Sequence, residues 1–111
     1  NIIKINKEQI INSNILSLFN NKITFENFEF KDEIYLGIRP EDISLENNHE
    51  IQVDVKIDHV ENLGFEKIVY SKVLENQIII KSSKNINNYS LKISFSKDKV
   101  LFFDKDENRI R

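Results

Sequence analysis

Apolar and polar residues alternate along this chain far more often than they recur at helical spacing. Ile51, Val53, Val55 and Ile57 alternate with Gln52, Asp54, Lys56 and Asp58, which predicts a strand with one apolar and one polar face. Tyr89, Leu91, Ile93 and Phe95 repeat the pattern against Ser90, Lys92 and Ser94. Ile23 and Phe25, then Phe28 and Phe30, alternate with a one-residue slip, so a bulge is expected near Glu26-Asn27. Shorter runs at Ile15–Phe19, Ile68–Leu74, Gln77–Lys81 and Lys99–Phe103 bring the expectation to about eight strands.

Turn-forming residues separate these runs. Asn20-Asn21 and Glu75-Asn76 are each short enough for a hairpin turn, while Asn47-Asn48-His49 and Ser82 to Asn88 predict exposed loops. One helical turn is expected, at Pro40-Glu41-Asp42-Ile43. Proline suits a first helical position, and acids suit the first turn through the local dipole. Many short strands at this spacing predict an all-β fold, a small barrel or sandwich, within a single domain spanning residues 1 to 111.

Composition narrows the function more than the fold. Sixteen basic and eighteen acidic residues are interspersed and leave a net charge of −2, so no basic stripe collects phosphates and nucleic acid is not an expected partner. The longest wholly apolar run, Val100 to Phe103, is far too short to span a bilayer. The absence of cysteine excludes disulfides, thiolate catalysis and cysteine zinc sites, and fits a cytosolic protein. The chain begins without methionine or a signal-peptide pattern and is expected to be a piece of a longer protein. Alanine is absent and isoleucine abundant, a bias that favours strands over helices.

Few residues are arranged for chemistry. A phosphate-binding loop needs clustered glycines followed by Lys and Ser or Thr, and the two glycines here, Gly37 and Gly64, lie far apart. No nucleophile elbow surrounds any serine. His59 continues the parity of Ile51 to Ile57 and is expected on the core side. His49 lies in the loop before that strand, and ten residues of extended chain place the two histidines about 30 Å apart, so they share no metal unless the chain folds back between them. Glu41-Asp42 reads as a pair of helix-start acids, and most phenylalanines fall on apolar faces as core residues. Tyr35, Phe65 and Tyr70 are less readily assigned to a core, and Phe65 is a candidate for exposure. Gly37 and Gly64 allow positive φ, a bulge or close backbone approach. Arg39, ahead of Pro40, is held extended, and Glu66 is placed to cap the turn amides after Gly64.

Three segments carry a resemblance: Leu36-Gly37-Ile38-Arg39-Pro40-Glu41, Val60-Glu61-Asn62-Leu63-Gly64-Phe65-Glu66, and Phe102-Phe103-Asp104 with Arg109 beyond it. In that order and spacing they resemble the C-terminal regulatory domain, of the TOBE or OB-like type, of ATP-binding subunits in bacterial ABC carbohydrate importers. The wording of the first segment is closest to the maltose and glycerol-phosphate importers. The chain departs from the pattern at Asp106-Glu107-Asn108, where a glycine is usual, and in the Ser82–Asn88 loop, which lacks glycine and proline.

The resemblance implies an OB-like barrel whose motif-bearing core is residues 35–111, with residues 1–34 as strands that follow an ATPase domain. It implies a non-catalytic module with no cofactor of its own, ATP and Mg belonging to the ATPase domain. The implied partners are a second copy of the subunit, the ATPase domain of the same chain, the permease subunits reached through it, and a regulatory protein. The implied location is the cytoplasmic face of the membrane. Gly37, Arg39, Pro40, Glu41, Glu61, Leu63, Gly64 and Glu66 form the implied regulatory or interface set; no catalytic or metal residue is assigned. Two other readings remain open: a free-standing barrel binding an oxyanion, although Arg39, Lys67 and Lys72 form no evident anion nest, and a nucleic-acid-binding OB module.

Overall fold

A computed structural model describes residues 1–12, 14–26, 34–84, 86, 89–106 and 108–110. The chain divides into two compact units, one formed by Asn1 with Arg39–Ser96 and the other by Ile2–Ile38 with Lys97–Arg111. Position 35, the expected start of the motif-bearing core, falls inside a strand of the second of these units. The structure describes Glu26 as an exposed turn residue, and the rest of the expected slip, Asn27, with the strand residues Phe28 and Phe30, lies outside the described residues.

The unit containing Ile2–Ile38 holds two antiparallel sheets. Strands β1 (Ile2–Ile5), β5 (Ile34–Gly37), β10 (Leu101–Phe103) and β11 (Arg109–Ile110) lie side by side in the order β1-β5-β10-β11. Strands β2 (Ile10–Asn12), β3 (Ile15–Leu18) and β4 (Asn21–Thr24) form a three-stranded meander. Alternation decides which side chains go inward: Ile3 and Ile5 are buried while Ile2 and Lys4 are exposed, and Leu16 and Leu18 are buried on β3. Phe25 packs edge-on against Phe102, with ring centroids 4.9 Å apart and an 86° interplanar angle.

The unit containing Arg39–Ser96 is a single four-stranded sheet. Strands β6 (Ile51–Asn62), β7 (Lys67–Val73), β8 (Asn76–Ser82) and β9 (Ser90–Phe95) are ordered β8-β7-β6-β9. Ile51, Val53 and Val55 of β6 bury with Val69, Ile78, Ile80, Ile93 and Phe95, as their alternation predicts. The Pro40–Asp42 segment forms a helical turn as expected, of 3-10 type, and packs against β8; two further 3-10 turns, Lys7–Gln9 and Lys97–Lys99, were not expected. Ser94 is fully buried; its hydroxyl donates to the Glu46 carbonyl and accepts the His49 amide, tying the loop before β6 to β9. At the edge of β8, the Asn1 side-chain amide donates to the Ile79 carbonyl at 2.8 Å and accepts the Ile79 N–H at 2.7 Å, so it substitutes for a neighbouring strand there.

The fold is therefore all-β, built from three open antiparallel sheets; among the described residues no sheet closes into a barrel. Also among them, no helix is long and apolar enough to cross a membrane.

Two hairpin turns sit one residue earlier than the sequence predicts. Leu18 pairs with Asn21, so the turn is Phe19-Asn20, and Val73 pairs with Asn76, so the second is Leu74-Glu75. Phe19, Asn20 and Leu74 all adopt positive φ, at 49°, 68° and 53°. A two-residue hairpin turn demands such angles to match strand twist; Asn20 adopts them readily, but register imposes them on Phe19 and Leu74, which do not favour them.

Candidate functional site

Strand β6 changes character halfway along. Its first half alternates buried and exposed positions, whereas His59 to Asn62 are exposed on both faces. The change begins at a bulge: Ile57 pairs with Ser71 and His59 with Tyr70, which leaves Asp58 as the extra residue. One inserted residue reverses the parity of all that follows. His59, expected on the core side, is consequently exposed on the opposite face, and Val60 stands across from buried Val69 but is itself exposed. Between the two histidines β6 begins at Ile51 and runs without a reversal, so the chain does not fold back to bring them together.

Beyond the bulge, β6 and β7 form an arm stiffened by cross-strand pairs. The His59 and Tyr70 rings stack with centroids 4.2 Å apart and planes 13° from parallel. The Tyr70 hydroxyl donates to Glu61 Oε2 at 3.2 Å. That hydrogen bond, followed by the negative charge of Glu61, raises the Tyr70 pKa above its ordinary value, because both oppose the phenolate. Lys72 Nζ lies 3.7 Å from Asp58 Oδ2, an exposed ion pair at the root of the arm.

The arm ends in the turn Leu63-Gly64-Phe65-Glu66. Gly64 has φ +91°, a region hostile to side chains, so glycine is required here. Asn62 Oδ1 accepts the Gly64 N–H at 3.0 Å, and the Glu66 carbonyl accepts the Leu63 N–H at 2.8 Å. Asn62, not the Glu66 side chain, therefore caps the turn. Phe65 is 91% exposed and Leu63 also faces solvent. Glu61, Leu63, Gly64 and Glu66 thus share one projecting hairpin, with an apolar tip and acids beside it.

The remaining predicted residues stand elsewhere. Arg39 is extended at φ −73°, ψ 143°, and leads into the Pro40–Asp42 turn, where its guanidinium lies 3.9 Å from Asp42 Oδ2. Glu41 on that turn is exposed. Gly37 ends β5 with Ile2 on one side and Leu101 on the other. Among the described residues, no hydrogen bond or ion pair joins Arg39 or Glu41 to the arm. The arm combines an exposed apolar tip with flanking acids, a make-up also found at protein interfaces.

A second feature escaped the sequence reading. In the other unit, Ile2, Tyr35, Phe103 and Lys105 line a hollow of about 280 Å³. Phe103 was expected to be a core residue, but Phe102 takes the buried position and Phe103 is only half-buried. Two adjacent phenylalanines in a strand must point to opposite faces, the one signal that marked it. No protein-family model matches this chain, and no curated protein shows significant similarity to it.

Proposed function

We propose that this chain is a non-catalytic regulatory and dimerisation module, OB-like in type, of the ATP-binding subunit of a bacterial ABC carbohydrate importer. The observation that carries the reading is where its three motif segments lie. Leu36 and Gly37 pair directly with Phe102 and Leu101 in neighbouring strands, so the first and third segments, distant in the chain, form one piece of sheet. The second segment lies on the solvent-exposed arm, where Glu61 and Glu66 add nothing to a core. Charged residues on a well-ordered projecting turn are suited to meeting a partner.

In this reading the module follows an ATPase domain in the longer subunit, pairs with a second copy, and receives a regulatory protein at the cytoplasmic face of the membrane. In the same reading ATP and Mg belong to the ATPase domain, and the 111-residue chain is expected to carry no cofactor of its own.

The test has two arms. The purified chain is expected to show neither ATP affinity by calorimetry nor ATP hydrolysis; measurable turnover overturns the reading. In the full-length subunit, Arg39→Glu, Glu41→Lys, Glu61→Lys and Glu66→Lys are expected to alter the regulation of transport. Each should leave the melting temperature nearly unchanged, because exposed charges contribute only about 0–1 kcal/mol. Normally regulated transport in all four variants removes the interface assignment.

A further inference from the structure

The hollow in the sheet β1-β5-β10-β11 follows from register. Ile2 and Leu101 both stand opposite Gly37, and Phe103 stands opposite Tyr35. These residues share one face of the sheet, and Gly37 contributes no side chain to it, so the surface is recessed between its larger neighbours. Ile2 is 59% exposed, Tyr35 and Phe103 are half-buried, and Lys105 stands at the rim in the turn after β10. Lys105 has no hydrogen bond or ion pair with any other described residue. An apolar recess carrying two rings and one uncommitted cation calls for an aromatic or aliphatic group beside an anion.

The chain itself displays such a pair of groups. Phe65 is the most exposed large apolar side chain among the described residues, and Glu66 follows it directly. Its turn is held by the Asn62–Gly64 and Leu63–Glu66 hydrogen bonds, so the ring is presented by an ordered backbone. Within its own unit Phe65 is 91% exposed, so no neighbouring side chain there covers the ring.

We propose that Phe65 of one copy seats in the Ile2–Tyr35–Phe103 hollow of a second copy, with the Glu66 carboxylate against Lys105. The size fits: an apolar cavity of about 150 Å³ accommodates a benzene ring, and the hollow measures about 280 Å³. The ring contacts Tyr35 and Phe103 as an aromatic cluster, which favours it over an aliphatic side chain. The charges are complementary, and the ion pair at the edge sets the orientation of the knob. A knob and a hollow on different surfaces make a heterologous contact, which closes into a dimer only if both copies exchange it. This inference rests on the dimerisation part of the proposed function and names the residues that produce it.

Analytical ultracentrifugation of the 111-residue chain across micromolar to millimolar concentrations tests it. Phe65→Ala is expected to weaken self-association by about thirtyfold or more, as a buried aromatic anchor does, with an unchanged melting curve at concentrations where the chain is monomeric, because the side chain is exposed there. Glu66→Lys and Lys105→Glu should each weaken association, and the two changes together should restore it. Association that is insensitive to Phe65→Ala, or charge reversals that do not compensate, overturn this contact while leaving dimerisation standing. A chain that stays monomeric throughout overturns both. Occupation of the hollow by a small aromatic anion, seen as a thermal shift lost in Lys105→Glu without any change in sedimentation, also overturns it.

Discussion

Replacing Leu74 with glycine is expected to stabilise the unit that contains β7 and β8, and the competing effects can be weighed from the structure. Leu74 occupies the first position of the two-residue turn between Val73 and Asn76 at φ +53°. A side-chain-bearing residue in that region costs about 1–2 kcal/mol. Leu74 is 86% exposed, so little apolar burial offsets the cost. Glycine releases the strain but makes the unfolded chain more flexible, which costs about 0.4–1 kcal/mol. The balance leaves about 0.8 kcal/mol in favour of the variant, and with an m-value near 1.5 kcal/mol/M the urea midpoint should rise by about 0.5 M. Equilibrium unfolding followed by circular dichroism reads this directly, with an unchanged slope showing that the denatured state is not altered. Phe19→Gly is the control: its φ of +49° is equally strained, but the ring is half-buried, so lost burial should cancel the gain. A Leu74→Gly variant no more stable than the parent refutes the assignment of strain to this turn.

Other consequences follow from the same geometry. Gly64→Val forces a β-branched residue to φ +91° and should cost about 1–3 kcal/mol, measured by urea unfolding; equal stability would show the turn to be misassigned. Phe25→Ala removes a buried ring from its edge-on contact with Phe102 and should cost about 3–5 kcal/mol in the same assay. Tyr70 should ionise above the ordinary tyrosine range, seen by phenolate absorbance, and Glu61→Gln should bring it back toward that range. Because its folded pKa is raised, the folded state holds this proton longer; the stabilisation is present below the unfolded value and lost as pH rises through the folded one. A Tyr70 titration that stays as high in the Glu61→Gln variant as in the parent removes the Tyr70–Glu61 hydrogen bond as the cause.

The strands that sequence pattern located are those whose periodicity is unbroken. Ile51 to Ile57 and Leu91 to Phe95 alternate without interruption, and burial follows the first residue by residue as far as Val55. On the second, Ser94 is buried along with Ile93 and Phe95, and Tyr89, expected on the same apolar face, is exposed. The pattern misled at His59 because parity was extrapolated across Asp58, and a bulge is set by the register of the partner strand, not by the strand's own sequence. The hairpin turns slipped by one residue for a related reason: Asn is the better turn former locally, but the pairings Leu18 with Asn21 and Val73 with Asn76 put Phe19 and Leu74 into the turns. Of the candidate site, the exposure of Glu61, Phe65 and Glu66 was legible from their place at a strand end and a glycine turn. The stacking of Tyr70 on His59 was not, since it needed the shifted parity.

By itself, the sequence determined an all-β chain, most of its strand positions, the helical turn at Pro40 and the requirement for glycine at Gly64. These depend on local periodicity and on backbone sterics that each residue carries with it. Only the tertiary structure decided which strands pair, and hence that Leu36 meets Phe102, that Asn1 covers the edge at Ile79, and that Ile2, Tyr35 and Phe103 surround a hollow beside Gly37. Such pairings join residues distant in the chain, and they are selected by the burial of whole faces at once, a condition that no single segment's alternation encodes.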